Sequence, residues 1–326
     1  MKSKFSSMSI KNLLLNYGVY LAFLIVCVAF SLLSPAFLTT ANLLDLLRQI
    51  SIVTVVAFGM TLVIISGGID LSTGAVVGIA GLALTTVLEK GGGLLVGCLV
   101  ALLFGVLFGV INGTLVTRAN MNPFIVTIAT LLIGNSLQIV YTRGGLPIYL
   151  MIPPKNFMFI AHGRVGGIPV PVIILLMIFG LYYLLLQRSS YGRYLYAIGS
   201  NIDASELSGI KYRKIVTFAY ILSGISAALA GIVLSSRVMS GQPLAGEAYL
   251  LDAIGASFMG TIISKVGRPS LLGTMFGSLF IGVMMNGLTL LNVVFYWQEF
   301  AKGFLILFIL LIWALQKAQR EVVTGK

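Results

Sequence analysis

The stretch Leu94-Leu-Val-Gly-Cys-Leu-Val-Ala-Leu-Leu-Phe-Gly-Val-Leu-Phe-Gly-Val-Ile111 carries no charged side chain and approaches the length that a helix needs to cross a bilayer. Val172–Leu186 and Phe304–Leu315 are apolar in the same way. Hydrophobic residues make up 58% of the 326-residue chain and charged residues only 9%, whereas globular domains carry about 25% charged residues. With so few charges the chain cannot cover a water-facing surface, so we expect its main solvent to be lipid.

The apolar runs predict helices and not a β-barrel. A membrane barrel alternates apolar and polar residues along each strand, and these runs do not alternate. Because backbone groups must be satisfied within lipid, helices are the remaining option. We therefore predict an all-α polytopic membrane protein with about ten transmembrane helices. The predicted spans are Tyr17–Leu33, Ile50–Ser66, Thr73–Leu88, Leu94–Asn112, Phe124–Tyr141, Val172–Gln187, Val216–Ser235, Ala248–Ile263, Leu271–Leu291 and Phe300–Leu315.

The formal net charge of +12 is explained by membrane orientation. A nucleic-acid-binding protein carries a clustered basic face on a soluble fold, so we expect no nucleic-acid partner. Cytoplasmic loops of membrane proteins collect lysine and arginine. With a cytoplasmic N-terminus, twice as many basic residues fall inside as outside, and the tail 316–326 is also cytoplasmic. The smaller, exterior set is Arg48, Lys90, Arg143, Lys155, Arg164, Arg237 and Lys302.

The spans form one membrane domain, residues 1–326, with two halves at 17–187 and 216–315. An exterior loop, 142–171, contains five prolines, which predicts a structured cap. The cytoplasmic loop 188–215 contains Asn201-Ile-Asp-Ala-Ser-Glu-Leu-Ser-Gly-Ile210. Asp203 or Asn201 can cap a short helix there that Gly209 ends. Such a helix on the cytoplasmic face is suited to docking a soluble partner.

Two glycine-rich segments interrupt the apolar pattern at membrane depth. They are Ser66-Gly-Gly-Ile-Asp-Leu-Ser-Thr-Gly74 and Ser240-Gly-Gln-Pro-Leu-Ala-Gly246. Each falls at a similar place in its half, and an odd number of spans per half makes the second half inverted. Discontinuous helices at matching positions of two halves point to a translocation path. The alternative is that both segments are ordinary tight turns between spans.

Polar side chains within the apolar runs are the candidate site residues. Charge within lipid is expensive, so such residues face a cavity or a partner. Arg237 is expected to form a structural ion pair with Glu247 or Asp252. Asp70 can instead cap a helix, and most of the amides, Asn112 included, can bond neighbouring helices. The candidates for lining the path of a hydroxyl-rich solute are Asp70, Ser72, Asn135, Gln138, Gln242 and Asn286.

The sequence offers no catalytic or metal-binding motif. His162 is the single histidine, and one histidine cannot form a multi-histidine metal site. No Gly-x-x-x-x-Gly-Lys-Ser/Thr sequence is present to cradle phosphates. We therefore expect no metal, no cofactor and no ATP hydrolysis by this chain itself.

Several motifs together resemble the ribose-type monosaccharide permeases of bacterial ABC importers. The resemblance extends from about Leu33 to Leu315, and the motifs are specific jointly, not singly. They are Gly59-Met-Thr-Leu-Val-Ile-Ile-Ser-Gly-Gly-Ile-Asp-Leu-Ser72, Tyr191-Gly-Arg-Tyr-Leu-Tyr-Ala-Ile-Gly199, Leu207-Ser-Gly-Ile210, Gln242-Pro-Leu-Ala-Gly246, Leu251-Asp-Ala-Ile254 and Asn286-Gly-Leu288.

The resemblance implies inverted halves folded like the vitamin B12 permeases. It implies a non-catalytic, multi-pass subunit of the bacterial cytoplasmic (inner) membrane. Its partners would be a second permease, cytoplasmic ABC ATPase subunits and an extracytoplasmic sugar-binding protein. The family often has a glycine-rich stretch where this chain reads Met259-Gly-Thr-Ile-Ile-Ser-Lys-Val-Gly-Arg268. Because of this departure, the second permease can be either a copy of this chain or a different one. The residues implied to couple to the ATPase are Asn201, Asp203, Ala204, Ser205, Leu207, Ser208, Gly209 and Ile210.

We therefore expect the permease of an ATP-driven importer for a monosaccharide such as ribose or allose. The alternative is a proton- or sodium-coupled secondary transporter of a small polar solute, which would use titrating carboxylates among Asp70, Glu247 and Asp252. A membrane-embedded enzyme would need a nucleophile–base set or a metal cluster, and the sequence offers neither.

Overall fold

The structure, a computed structural model, describes residues 10–264 and 267–324. Within these ranges the chain is predominantly helical, with only short two-residue strands, which confirms the predicted all-α class. The helices are α1 (Ile10–Leu33), α2 (Thr40–Ile65), α3 (Thr73–Glu89), α4 (Leu94–Arg118), α5 (Pro123–Tyr141), α6 (Lys155–His162), α7 (Val170–Arg188), α8 (Ser190–Ser200), α9 (Ile202–Leu207), α10 (Tyr212–Val238), α11 (Glu247–Ile263), α12 (Leu271–Leu290) and α13 (Phe295–Thr324). The strands are β1 (Ile148–Tyr149), β2 (Arg164–Val165), β3 (Ile168–Pro169) and β4 (Ser240–Gly241).

Each predicted span overlaps one helix, among α1–α5, α7 and α10–α13. In the part of the chain that the structure describes, seven of these helices, α2, α4, α5, α7, α10, α12 and α13, are long and apolar enough to cross a membrane, so the chain is a polytopic membrane protein. Helices α3 and α11 have 17 residues each, about 25 Å at 1.5 Å per residue, less than a bilayer core of about 30 Å. The count of ten spans therefore stays a prediction. Lys265 and Val266 of the departing stretch, and the last two residues of the predicted tail, lie outside the described residues.

The long helices α4 and α10 are in close contact because glycine lies where their backbones cross. A Cβ atom at Gly105 would overlap the carbonyl oxygen of Gly224, and one at Gly109 would lie 2.6 Å from the carbonyl oxygen of Tyr220. The glycines Gly273 and Gly277 bring α12 equally close to α11. Gly105-x-x-x-Gly109 and Gly273-x-x-x-Gly277 are small-residue spacings of the kind that permits tight helix packing.

The helix order and its packing partners recur along the chain. The order α2, α3, α4, α5 is matched by α10, α11, α12, α13, with an interruption after α2 and after α10. Helix α10 packs on α4, α3 and α2, and α2 packs in turn on α12, α11 and α10. Likewise α3 packs on α4 and α5, as α11 packs on α12 and α13.

The short helices α3 and α11 begin inside the bundle. Val77, in the second turn of α3, lies against Gly231, so α3 starts beside the middle of the 27-residue helix α10. Gly246, just before α11, lies against Gly74 at the start of α3. The N-termini of two interrupted helices therefore meet within the bundle.

The two ends of the bundle differ in their connections. At one end, the α9 end, α9 lies near the first residues of α10. At the other, the β1–β4 end, Ile148–Tyr149 pair antiparallel with Ser240–Gly241, and α6 is tied to α10 because Ser236 Oγ donates to the carbonyl of Phe157 at 2.6 Å. The connection between α5 and α7 is therefore held against α10, and its exterior location stays a prediction.

Candidate functional site

The first break, residues 66–72, joins α2 to α3 and is held together by Asp70. Its Oδ1 accepts hydrogen bonds from the backbone N–H of Ser72 at 3.1 Å and from the Ser72 hydroxyl at 2.6 Å. Asp70 and Ser72 are each 1% exposed. Asp70 therefore caps the turn into α3, which was the alternative to its lining a path.

A chain of buried hydrogen bonds ties the first break to α4 and α5. Asn112 Nδ2 donates to Ser72 Oγ at 2.8 Å, and Thr130 Oγ1 donates to Asn112 Oδ1 at 2.9 Å. Because every member is buried, these groups cannot find water if a bond is lost. The network fixes the position of the break relative to both helices.

A cleft of about 590 Å³ leads from the α9 end to the first break. It lies between the first break, the start of α5 and helix α9, and both uncharged polar and acidic side chains line it. The lining residues include Ser66, Gly67, Asn122, Asp203, Glu206 and Tyr220.

The segment 201–210 forms the short capped helix that the sequence predicts. Asn201 Oδ1 accepts from the N–H of Ala204 at 2.9 Å, and Gly209 ends the turn with a φ of +79°. Leu207 is 90% exposed. Of the predicted coupling residues, Asn201, Asp203, Ala204, Leu207, Ser208 and Gly209 are exposed, Ile210 is half-buried and Ser205 is buried.

Helix α8 anchors α9 to the bundle. A Cβ atom at Gly199 would overlap the carbonyl oxygen of Ile65, so α8 packs directly on the end of α2. The hydroxyl of Tyr196 donates to the carbonyl of Pro269 at 2.9 Å. Burial raises the pKa of Tyr196, against the opposing effect of Arg268, so this hydroxyl stays protonated as a donor near neutral pH. Helix α9 is therefore linked to α2 and to the connection before α12.

The second break, residues 239–246, folds back into the bundle from the β1–β4 end. Two of its residues, Met239 and Leu244, have positive φ angles. The backbone N–H of Leu244 donates to Gln138 Oε1 at 2.9 Å. Gln138 is 1% exposed, so it holds the break against α5 and does not line an open path. Gln242 is exposed and bonds Ser240 Oγ at 3.4 Å.

Asn135 and Glu247 meet on the surface of the bundle between α5 and α11. Asn135 Nδ2 donates to Glu247 Oε1 at 2.7 Å, and Asn135 Oδ1 accepts from Gln138 Nε2 at 3.2 Å. Gln138 therefore orients the Asn135 amide with its N–H toward the carboxylate. The sequence predicts Asn135 as a path candidate but Glu247 as a member of an ion pair, and the structure brings the two together.

About one helical turn from this pair, toward the α9 end, an apolar cluster lies between the two breaks. Its buried members are Met60, Leu71 and Leu250. Partly buried apolar side chains of the first break and of α2, α5 and α11 pack on these three. We call the surface formed by α5, α11 and this cluster the α5–α11 face. Its partly exposed apolar members are Ile64, Ile69, Ile128, Leu131 and Ile254.

The ion pair expected for Asp252 has a different partner from the one predicted. Lys302 Nζ lies 3.3 Å from Asp252 Oδ1 and 2.9 Å from Glu299 Oε1, and Lys302 is 5% exposed. Arg237 instead bonds the side chain of Tyr249. The predicted pairing of Arg237 with Asp252 is wrong because α13 packs on α11 and brings Lys302 to Asp252. Lys302 therefore lies inside the helix bundle, although it was counted with the exterior basic residues.

Asn286 lies away from the α5–α11 face. Its amide and that of Asn42 exchange two hydrogen bonds, at 2.8 and 3.0 Å, between α12 and α2. Asn286 therefore bonds neighbouring helices, which was the alternative for most of the amides.

Known proteins share this sequence over nearly its whole length. The family model described as branched-chain amino acid transport system / permease component matches residues 42–312. The chain is 42% identical over 295 residues to the ribose import permease protein RbsC of Bacillus subtilis (strain 168), covering 90% of this chain and 91% of that protein. It is 36% identical over 304 residues to RbsC of Escherichia coli (strain K12), covering 93% and 94%. It is 33% identical over 305 residues to the L-arabinose transport system permease protein AraH of Escherichia coli (strain K12), covering 93% and 91%.

No significant match was found among solved structures. The family match includes both breaks, α9 and the α5–α11 face, since all of these lie within the matched residues 42–312. The chain therefore belongs to the branched-chain amino acid transport system / permease component family, and within it to the ribose-type monosaccharide permeases of ABC importers.

Proposed function

We propose that this chain is the membrane permease subunit of an ATP-driven importer for a monosaccharide such as ribose or allose. The observation that carries the proposal is the meeting of α3 and α11 inside the bundle, N-terminus to N-terminus. Interrupted helices whose ends meet near the membrane midplane are typical of transport sites. The relatives, which are ribose and L-arabinose permeases, support a sugar as the solute.

The proposed route of the sugar follows the α5–α11 face. The polar pair Asn135–Glu247 lies on the side of the second break, the apolar cluster lies below it, and the 590 Å³ cleft continues to the α9 end. In this arrangement the apolar cluster is the barrier, because a sugar loses its hydrogen bonds to water there. Transport requires the cluster to part on one side at a time, and a ligand shifts that equilibrium only by binding the two states differently.

We propose that the α9 end is cytoplasmic, with both termini on the same side. The supporting feature is the concentration of basic residues around α9, since cytoplasmic loops collect lysine and arginine. They are Arg188, Arg193, Lys211, Arg213 and Lys214. The β1–β4 end then faces the exterior, where a sugar-binding protein would deliver its ligand.

Helix α9 is proposed to dock in a groove of a partner ATPase. Its exposed Leu207 and capped ends give a rigid apolar contact, and α8 links it to the end of α2 beside the first break. Movement of the ATPase would thus reach the break directly. In this proposal the chain is non-catalytic, ATP is hydrolysed on the partner, and a second permease, the same chain or a different one, covers the α5–α11 face.

The two halves are proposed to be inverted repeats with the architecture of the vitamin B12 permeases. The recurring order and pairings of α2–α5 and α10–α13 support this proposal. Residues 17–187 and 216–315 would be the repeats, joined by the coupling loop 188–215.

The test is reconstitution of the purified complex into vesicles with its ATPase and binding protein. We expect D-ribose uptake that requires ATP hydrolysis and stops with a non-hydrolysable ATP analogue. Uptake of equal rate without ATP hydrolysis, driven by a proton or sodium gradient, would support the secondary transporter instead.

A further inference from the structure

Glu247 carries an exposed carboxylate on a helix face that is otherwise apolar. Neighbouring exposed side chains include Leu132 and Leu251. Asn135, its hydrogen-bond partner, lies six residues before the end of α5, about 9 Å inside the helix end at 1.5 Å per residue. Glu247 forms no ion pair with any of the described residues. A lone carboxylate at this depth is costly against lipid, so this part of the face must meet water, a polar solute or a polar group of the second permease.

The pair is positioned by buried hydrogen bonds behind it. Gln138 Nε2 lies within hydrogen-bonding distance of Asn135 Oδ1 and the carbonyls of Gly134 and Ala75, at 3.2, 3.3 and 3.4 Å. Its oxygen accepts from Leu244 of the second break. A Cβ atom at Gly78 would overlap Gln138 Oε1, so the amide fills the space that this glycine leaves. Groups held in this way are ready to bind without first paying to become ordered.

The free hydrogen-bonding capacity of the pair matches adjacent hydroxyl groups. An ionised carboxylate has about four acceptor sites and an amide two N–H donors, and the pair itself uses one of each. The remaining carboxylate sites can accept from two hydroxyls, and the second N–H of Asn135 can donate to one of them. Hydrogen bonds to an ionised acceptor are also stronger than those between neutral groups.

We propose that Asn135 and Glu247 bind two neighbouring hydroxyl groups of the sugar as it passes along the α5–α11 face. This inference rests on the proposed function and adds to it the contact that selects the solute. It also assigns Gln138 as a positioning residue, which acts through Asn135 and the second break.

The experiment compares wild-type, Glu247→Gln and Asn135→Ala permeases in vesicles with the ATPase and the D-ribose-loaded binding protein. The readout is the amount of D-ribose imported for each ATP hydrolysed. Removing hydrogen bonds to a charged group changes binding by about tenfold or more, so we expect this ratio to fall about tenfold in both variants. The matched control is Asp45→Asn, because the Asp45 carboxylate is 67% exposed and pairs with Arg48 away from this face.

An unchanged ratio of ribose to ATP in both variants would overturn the inference. So would a loss of ATP hydrolysis and of uptake in the same proportion, because a merely structural pair slows both together. If instead the wild-type complex imports no D-ribose with ATP, the proposed function fails before the variants are compared.

Discussion

Gly246 lies against the carbonyl oxygen of Gly74 so closely that no side chain fits between them. This contact joins the residue before α11 to the first turn of α3. It places the two breaks side by side although the two glycines are 172 positions apart in the sequence. The close approach requires glycine at the residue that precedes α11.

Gly246→Ala is expected to destabilise the protein and to slow uptake. The added Cβ atom would overlap the Gly74 carbonyl and lie 2.8 Å from Val77 Cβ, and overpacking of this kind costs about 1–3 kcal/mol. Gly93→Ala is the matched control, since Gly93 also precedes a helix and has no atom within 4 Å of its Cβ position. Thermal unfolding in detergent should show a lower midpoint for Gly246→Ala only, and equal midpoints would contradict this reading of the contact.

Asn112→Ala is expected to lower stability by about 1–3 kcal/mol, because it removes two buried hydrogen bonds, the one that Asn112 donates to Ser72 Oγ and the one that it accepts from Thr130 Oγ1. Asn156→Ala provides a comparison at an exposed asparagine of α6. The measurement is again the unfolding midpoint in detergent. A loss no greater than that of Asn156→Ala would show that the network around the first break contributes little.

The sequence predicted the helices and the breaks well because both are local properties. Thr73 was the predicted start of the third span and is the first residue of α3. Helix α2 begins ten residues before the predicted start at Ile50. The predicted start is too late because the paired Asp45 and Arg48 lower the hydropathy of the first turns of α2. A local hydropathy pattern contains no information about which group lies opposite a given side chain. A charged pair within a helix is therefore predicted as a loop.

The roles of the polar side chains could be predicted only in part. Asn135, Gln138 and Asn286 are all amides within apolar runs, and the sequence offers no way to separate them. In the structure Asn286 bonds α2, Gln138 is buried behind the second break and Asn135 faces outward. The distinction depends on which helix lies opposite, which long-range packing decides. Lys302 had one local signal, its place two residues inside the run that begins at Phe300.

Lys302→Met is expected to lower stability by about 3–5 kcal/mol. It leaves the Asp252 carboxylate, whose side chain is only 14% exposed, without its cation, and an unpaired buried charge carries a penalty of this size. The double variant Lys302→Met/Asp252→Asn should recover most of the loss, because the stranded charge is gone. Unfolding midpoints of the two single variants and the double variant give the coupling.

Arg237→Met is the control for this pair. Since Arg237 has no carboxylate within 4 Å in the described part of the chain, its replacement should cost less than that of Lys302. A greater loss for Arg237→Met, or no recovery in the double variant, would contradict the assignment of Lys302 as the partner of Asp252.

Leu207→Asp is expected to weaken binding of the ATPase while leaving the membrane bundle intact. Leu207 is 90% exposed at the end of α9, so its replacement removes no packing within the chain, but a charge there would be buried against a partner. Burying an unpaired carboxylate against the partner costs about 2 kcal/mol or more, which predicts a loss of at least about thirtyfold in affinity. Leu146→Asp is the matched control, because Leu146 is 68% exposed in the connection leading to the β1–β4 end. The ATPase recovered with each detergent-purified permease measures the effect, and equal recovery with both variants would exclude α9 as the docking element.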